Sequence, residues 1–149
     1  MNSIEKLHAY QNAYRTINAV EAELRKMVNA FFKDCPGGWY LQSLDFGNEF
    51  CTAISVPKIV NLCVEEVIMG EGEYYTFPVP SSIIMKYLDG NKEEAAKEFQ
   101  QWHKEYWEQK KREQEEAKRR EDEALAKKSE EDEYKLYLKL KDKFENERL

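Results

Sequence analysis

Five glutamates sit where chemistry is conceivable: Glu49, Glu65, Glu66, Glu71 and Glu73 flank two stretches that read as β-hairpins. Two carboxylates held close can divide acid and base roles, or supply hard oxygen ligands to Mg²⁺. An acidic surface can also resemble nucleic-acid phosphates and bind a partner's basic cleft by charge complementarity. Against both stands the simplest account, a solvated acidic rim. The only histidines are His8 and His103, each expected at a surface or interface rather than as a ligand or base. Cys35, Cys51 and Cys63 have no CxxC spacing, and no HxxxH accompanies them, so a four-ligand zinc site is not expected. Cys51 falls within a predicted strand and Cys63 beside one, which suits buried thiols behaving as small apolar groups. No GxxxxGK[ST] cradle is present, and the acidic Gly70-Glu71-Gly72 reads as a turn. The expectation is no catalytic residue, no metal and no cofactor.

The elements that must position these glutamates are strands. Residues 39–46 and 50–56 are rich in aromatic and β-branched types, with Gly47-Asn48 between them as a tight turn. A second pair, 64–69 and 73–79, surrounds Gly70-Glu71-Gly72. Pro57, Pro78 and Pro80 lack the N–H that a central strand uses, so they belong at strand ends or edges. Ser81-Ser82 can cap a short helix over 83–88. The fold class expected is α+β: an N-terminal amphipathic helix, a small antiparallel meander of about four strands, and a long charged C-terminal helix.

Ahead of the strands, Ser3 can cap a helix whose apolar residues are Leu7, Tyr10, Tyr14, Ile17, Leu24, Val28 and Phe31. The spacing is a heptad rhythm with only Glu21 out of pattern. Pro36-Gly37-Gly38 ends it. Two readings fit, a helix packed on the sheet or an oligomer seam through Leu7, Tyr10, Tyr14, Ile17 and Leu24. Four heptads exceed what a small sheet covers.

The chain has 149 residues, a net charge of −6 and 35% charged residues. About one domain's worth of chain follows from the length. Collagen-like, Pro/Gly-disordered and disulfide-framework classes are excluded by 6 Gly, 4 Pro and 3 Cys. No apolar run approaches the ~20 residues of a membrane span, and the first residues lack the pattern of a signal peptide. With an odd number of cysteines, the location expected is the cytoplasm. Charge is uneven: residues 1–91 carry 7 Lys+Arg and 11 Asp+Glu, while 92–149 carry 16 and 18. The break falls at the turn-like Asp89-Gly90-Asn91, giving a compact domain over 1–91 and a helical arm over 92–149. The core is net negative without a basic stripe, so direct nucleic-acid binding is not expected.

In the arm, Asn91 with Glu94 reads as a capping box, and Ala95, Phe99, Trp102 and Tyr106 form one apolar face that, with Trp107, packs on the core or on a second copy. Between 108 and 133, 19 of 26 residues are charged, so the stretch is either a solvated helix of roughly 39 Å or disordered. Glu108–Arg112, Glu115–Arg119, Glu116–Arg120 and Glu123–Lys127 offer i,i+4 pairs along it. Apolar residues then return as Tyr134, Leu136, Tyr137, Leu138, Leu140 and Phe144. Such a cluster needs a surface to bury against. A partner, a second copy, or a fold-back with a break over 124–129 would each provide one.

The segment from Glu73 through Tyr-Tyr-Thr-Phe-Pro-Val-Pro-Ser-Ser-Ile-Ile-Met-Lys-Tyr-Leu-Asp to Gly90, followed by a Glu/Lys/Arg-rich helix, resembles small accessory proteins of tailed bacteriophages. The resemblance spans the latter half of the chain. It implies a small non-enzymatic protein of the host cytoplasm, one that binds and inhibits a host or defence protein. The expectation is therefore a self-associating protein-interaction module with Tyr134, Tyr137, Leu138, Leu140 and Phe144 as its partner-binding residues. The alternatives are a small enzyme using the hairpin carboxylates with a divalent metal, or an acidic mimic of nucleic acid.

Overall fold

The computed structural model describes residues 1–47 and 55–148. Among the described residues the elements in order are helix α1 (Ser3–Phe31), strands β1 (Gly38–Asp45), β2 (Ile59–Ile68) and β3 (Glu71–Pro80), helix α2 (Ser81–Leu88) and helix α3 (Lys92–Glu147). The architecture is α+β, with an N-terminal helix, an antiparallel sheet and a long C-terminal helix. The chain divides into two units, Met1–His103 and Lys104–Leu149.

Asn2, rather than the expected Ser3, caps α1. The Asn2 side chain accepts from the Glu5 N–H and the Glu5 carboxylate accepts from the Asn2 N–H, both at 2.9 Å. Asparagine offers the same short acceptor oxygen as serine, and the reciprocal pair satisfies two otherwise orphaned donors. After α1, Gly37 turns the chain at φ 87°. A Cβ there would lie 2.9 Å from Ile68 Cγ1, so the turn needs glycine for space as well as for conformation.

Three strands, not four, form the sheet among the described residues, in the order β1-β2-β3 and antiparallel throughout. Of the expected strand over 50–56, residues 50–54 lie outside the described residues, as does Asn48 of the expected turn, and Ser55 and Val56 are not in a strand. β1 pairs with β2 from Gly38↔Val67 to Asp45↔Asn61, with a bulge between Leu41 and Ser43. β2 begins at Ile59, ahead of the expected residue 64, because Val60 and Leu62 continue its inward alternation into the core. The turn into β3 is Met69-Gly70 rather than Gly70-Glu71-Gly72: Ile68 pairs with Glu71, and Met69 and Gly70 have φ of 51° and 80°. Positive φ at both central residues is what a two-residue hairpin needs to match the strand twist.

The core lies on one face of the sheet. Val60, Leu62 and Val64 of β2 and Phe77 and Val79 of β3 meet Met27, Val28 and Phe31 of α1, Ile83, Ile84 and Tyr87 of α2, and Ala95 and Phe99 of α3, all buried. Phe31 stacks on Phe99 at 4.4 Å between centroids, and Phe32 stacks on Trp39 at 4.4 Å. α2 begins after Pro80 without a side-chain cap. Ser81, expected to provide one, lies inside the helix and donates its hydroxyl to the Lys58 carbonyl at 3.2 Å. Lys86 of α2 pairs with Glu98 at 2.6 Å and Glu94 at 3.1 Å of α3. Glu94, the expected partner of Asn91 in a capping box, thus faces Lys86.

Residues 108–133 are helical, and α3 runs unbroken through 124–129. Of the expected i,i+4 pairs, Glu116–Arg120 forms at 2.7 Å, while Arg119 pairs with Glu123 at 3.9 Å. Arg112 donates to Gln109 Oε1 at 3.1 Å.

Candidate protein-binding surfaces

The apolar stripe of α1 is buried over only its last two turns. Leu24 is 7% exposed and belongs to the core, a correction to its place in the expected seam. N-terminal to it, Leu7, Tyr10, Tyr14 and Ile17 are exposed, Tyr10 by 70%, and Tyr10 and Tyr14 stack at 6.5 Å. Ile4 and Val20 widen the face and are exposed as well. They escape a strict heptad count because each stands one position off it. Core and exposed residues form one stripe, since an ideal helix drifts only about 20° per heptad from a 3.5-residue repeat.

Where the stripe enters the core, a groove of about 530 Å³ opens between α1, β1 and α2. Val20, Leu24, Leu41, Leu44, Ile84 and Leu88 line it, with Glu21 and Arg25 at 3.6 Å from each other beside them. No sequence signal marks this groove. Its residues come from separate elements, and only the packing of the two helices on the sheet brings them together.

In the second unit, Tyr134, Tyr137, Leu138, Leu140 and Phe144 are all exposed, from 40% for Leu138 to 62% for Phe144. Tyr134 and Tyr137 stack at 6.4 Å. Tyr137, Leu140 and Phe144 lie at i, i+3 and i+7 and line one strip with Lys141 and Arg148. This is the spacing by which an amphipathic helix presents anchors to a groove.

The hairpin glutamates do not form one patch. Glu66 and Glu73 are register partners, and alternation puts them on the sheet face that carries the core. A hydrogen bond to Glu73, with burial and Glu66 adding to it, pushes the Tyr75 phenol up to about 12. Glu65 projects from the opposite face and accepts from Gln42 Nε2 at 3.0 Å. Glu71 starts β3 opposite Ile68. Glu49 lies outside the described residues. Among the described residues, no three of His, Cys, Asp and Glu are grouped to hold a metal ion.

His103 is half-buried rather than superficial. It stacks on Phe99 at 5.5 Å and meets Phe32 and Phe77 edge-on, and burial lowers its pKa below 6.5. Burial, Asp34 and Glu66 raise the Cys35 thiol, which favours the unreactive protonated form. Cys63 Sγ lies 3.6 Å from Thr76 Oγ1 on the outer sheet face, half-buried, and Cys51 lies outside the described residues. Phe99 and Trp102 pack in the aromatic core, Trp102 edge-on to Phe77 at 6.5 Å. Tyr106 and Trp107 meet each other at 5.6 Å in the second unit. No described helix is long and apolar enough to cross a membrane. No protein-family model matches this chain, and neither does any curated protein or solved structure.

Proposed function

We propose that this chain is a non-enzymatic protein-interaction module that self-associates through α1 and holds a protein target on 134–144. One observation carries the reading: two helices each present a stripe of large apolar side chains to solvent. Stripes of this extent on a chain with 35% charged residues are costly unless something covers them. The target that fits 134–144 has an apolar groove for Tyr137, Leu140 and Phe144. Its rim is acidic, to meet Lys135, Lys139, Lys141 and Lys143. On the resemblance to phage accessory proteins, that target is a host or defence protein, and covering its groove inhibits it.

Truncation after Lys128 tests the reading. Loss of co-purifying protein from a host lysate, with the melting temperature of the remainder unchanged, is the expected result. Retention of the same partner by the truncated chain would remove 134–144 as the docking element.

A further inference from the structure

The exposed stripe of α1 is symmetric about Asn12. Tyr10 and Tyr14 stand two positions either side of it, Leu7 and Ile17 five, and Ile4 and Val20 eight. All six are exposed. Such a pattern is self-complementary when a second α1 lies antiparallel: Leu7 comes level with Ile17 of the other copy and Tyr10 with Tyr14, while Ile4 and Val20 flank the seam on its two edges. A two-fold axis then brings the stacked pair Tyr10–Tyr14 of each copy together as a four-tyrosine layer. An isologous interface requires this reciprocity, in which residue i meets j and j meets i.

Resting on the self-association proposed above, we infer that two copies of this chain pair antiparallel through α1, across an axis at Asn12. The other direction of pairing fails for two reasons. Leu24, Val28 and Phe31 continue the same stripe and are buried under the chain's own core. A parallel pair would therefore have to fit two cores between the two helices. The antiparallel partner instead sets Leu7 level with Ile17 and Ile4 level with Val20, short of the buried stretch that begins at Leu24. Its first turn, around Ile4, then comes beside the groove lined by Val20, Leu24 and Ile84.

Charge gives the second reason. Between residues 4 and 20 only Glu5, Lys6 and Arg15 are charged. In the antiparallel register they come level with Ala19, Asn18 and Ala9. A parallel register sets Glu21, which occupies a seam position, against Glu21 of the other copy, whereas the antiparallel register sets it level with Ser3. Like charges held together in a seam are repulsive and choose against that alignment. The area is also sufficient, because the six side chains expose on the order of 700 Å² per copy, close to the ~800 Å² each partner gives to a standard interface.

Cysteine cross-linking of the full chain reads the direction. Leu7→Cys and Ile17→Cys are made singly, and the chains are examined alone and after subunit mixing. Mass is followed by light scattering and linked peptides by mass spectrometry, with the parent chain as control for the native cysteines. The expected result is twice the 17.7 kDa chain mass, with position 7 of one copy linked to position 17 of the other in the mixture alone. Tyr10→Glu with Tyr14→Glu, both at exposed positions, weakens association about 100-fold or more, since every substitution counts twice at the axis. A link from position 7 to position 7, or a dimer with neither link, overturns the antiparallel pairing while self-association stands. A single-chain mass at high concentration overturns both.

Discussion

Phe99→Ala asks whether the first turns of α3 are part of the folded core. Phe99 is wholly buried, stacks on Phe31 at 4.4 Å with the rings 12° apart, and meets Phe32 edge-on at 5.1 Å. Truncating a buried Phe to Ala costs about 3–5 kcal/mol from lost transfer energy and the cavity left behind. The two aromatic pairs add specificity worth roughly 0.5–1.5 kcal/mol each, partly contained in that figure. A unit of this size is stable by only about 5–15 kcal/mol, so the loss is a large share of the total. Urea unfolding followed by tryptophan fluorescence is the assay, because Trp39 and Trp102 both lie against this cluster. Phe99→Leu, which keeps most of the volume, should lose far less than Phe99→Ala. A loss below about 1.5 kcal/mol for Phe99→Ala would mean that the ring is not buried as described, and that the helix start is a separate element.

Further expectations follow from individual sites. Burial holds His103 below its ordinary 6.5, so the unfolded chain takes up a proton first on acidification. Stability from the neutral ring is complete above about pH 6.5 and falls as the pH drops through the folded value, and His103→Phe should flatten melting temperature across that window. Met69 is fully exposed at φ 51°. Met69→Asn, which tolerates that conformation better, should stabilise the hairpin by about 0.5–1 kcal/mol in thermal unfolding, and a loss would speak against a strained turn. Replacing Glu65, Glu66 and Glu73 together by Gln should leave partner binding within tenfold, about 1.4 kcal/mol, in a pull-down titration. A larger loss would support an acidic surface that mimics nucleic acid.

Periodicity was informative wherever one face of an element is buried. The stripe from Leu7 to Phe31 and the start of the C-terminal helix over Ala95, Phe99, Trp102 and Tyr106 could be read from it, because burial imposes a period on apolar residues, whereas 108–133, with no buried face, could be read as helix or as disorder. It failed where neighbours decide. Ser81 has the chemistry of a cap, yet the Lys58 carbonyl claims its hydroxyl. Gly70-Glu71-Gly72 is the more obvious turn by composition, but the register carries glycine into the strand and leaves Met69 at positive φ. Leu24 cannot be told from Ile17 by spacing, since the same stripe serves the core at one end and solvent at the other. Which end is covered depends on where the sheet lies. The groove beside it is likewise a product of topology.

The charged stretch of α3 has a consequence for how the chain melts. Its 108–133 side chains are all exposed, so unwinding there uncovers almost no apolar surface. Heat capacity and denaturant sensitivity scale with surface uncovered. This stretch should therefore contribute little to either, and lose its turns gradually as helix–coil equilibria do. The sheet and its aromatic cluster should instead unfold in one sharp step. Far-ultraviolet dichroism, dominated by α3, and tryptophan fluorescence, dominated by the core, would then report different midpoints for a single chain. For this molecule one melting temperature is not one quantity, and added salt, which weakens the Glu116–Arg120 kind of pair, should move the first midpoint while leaving the second nearly still.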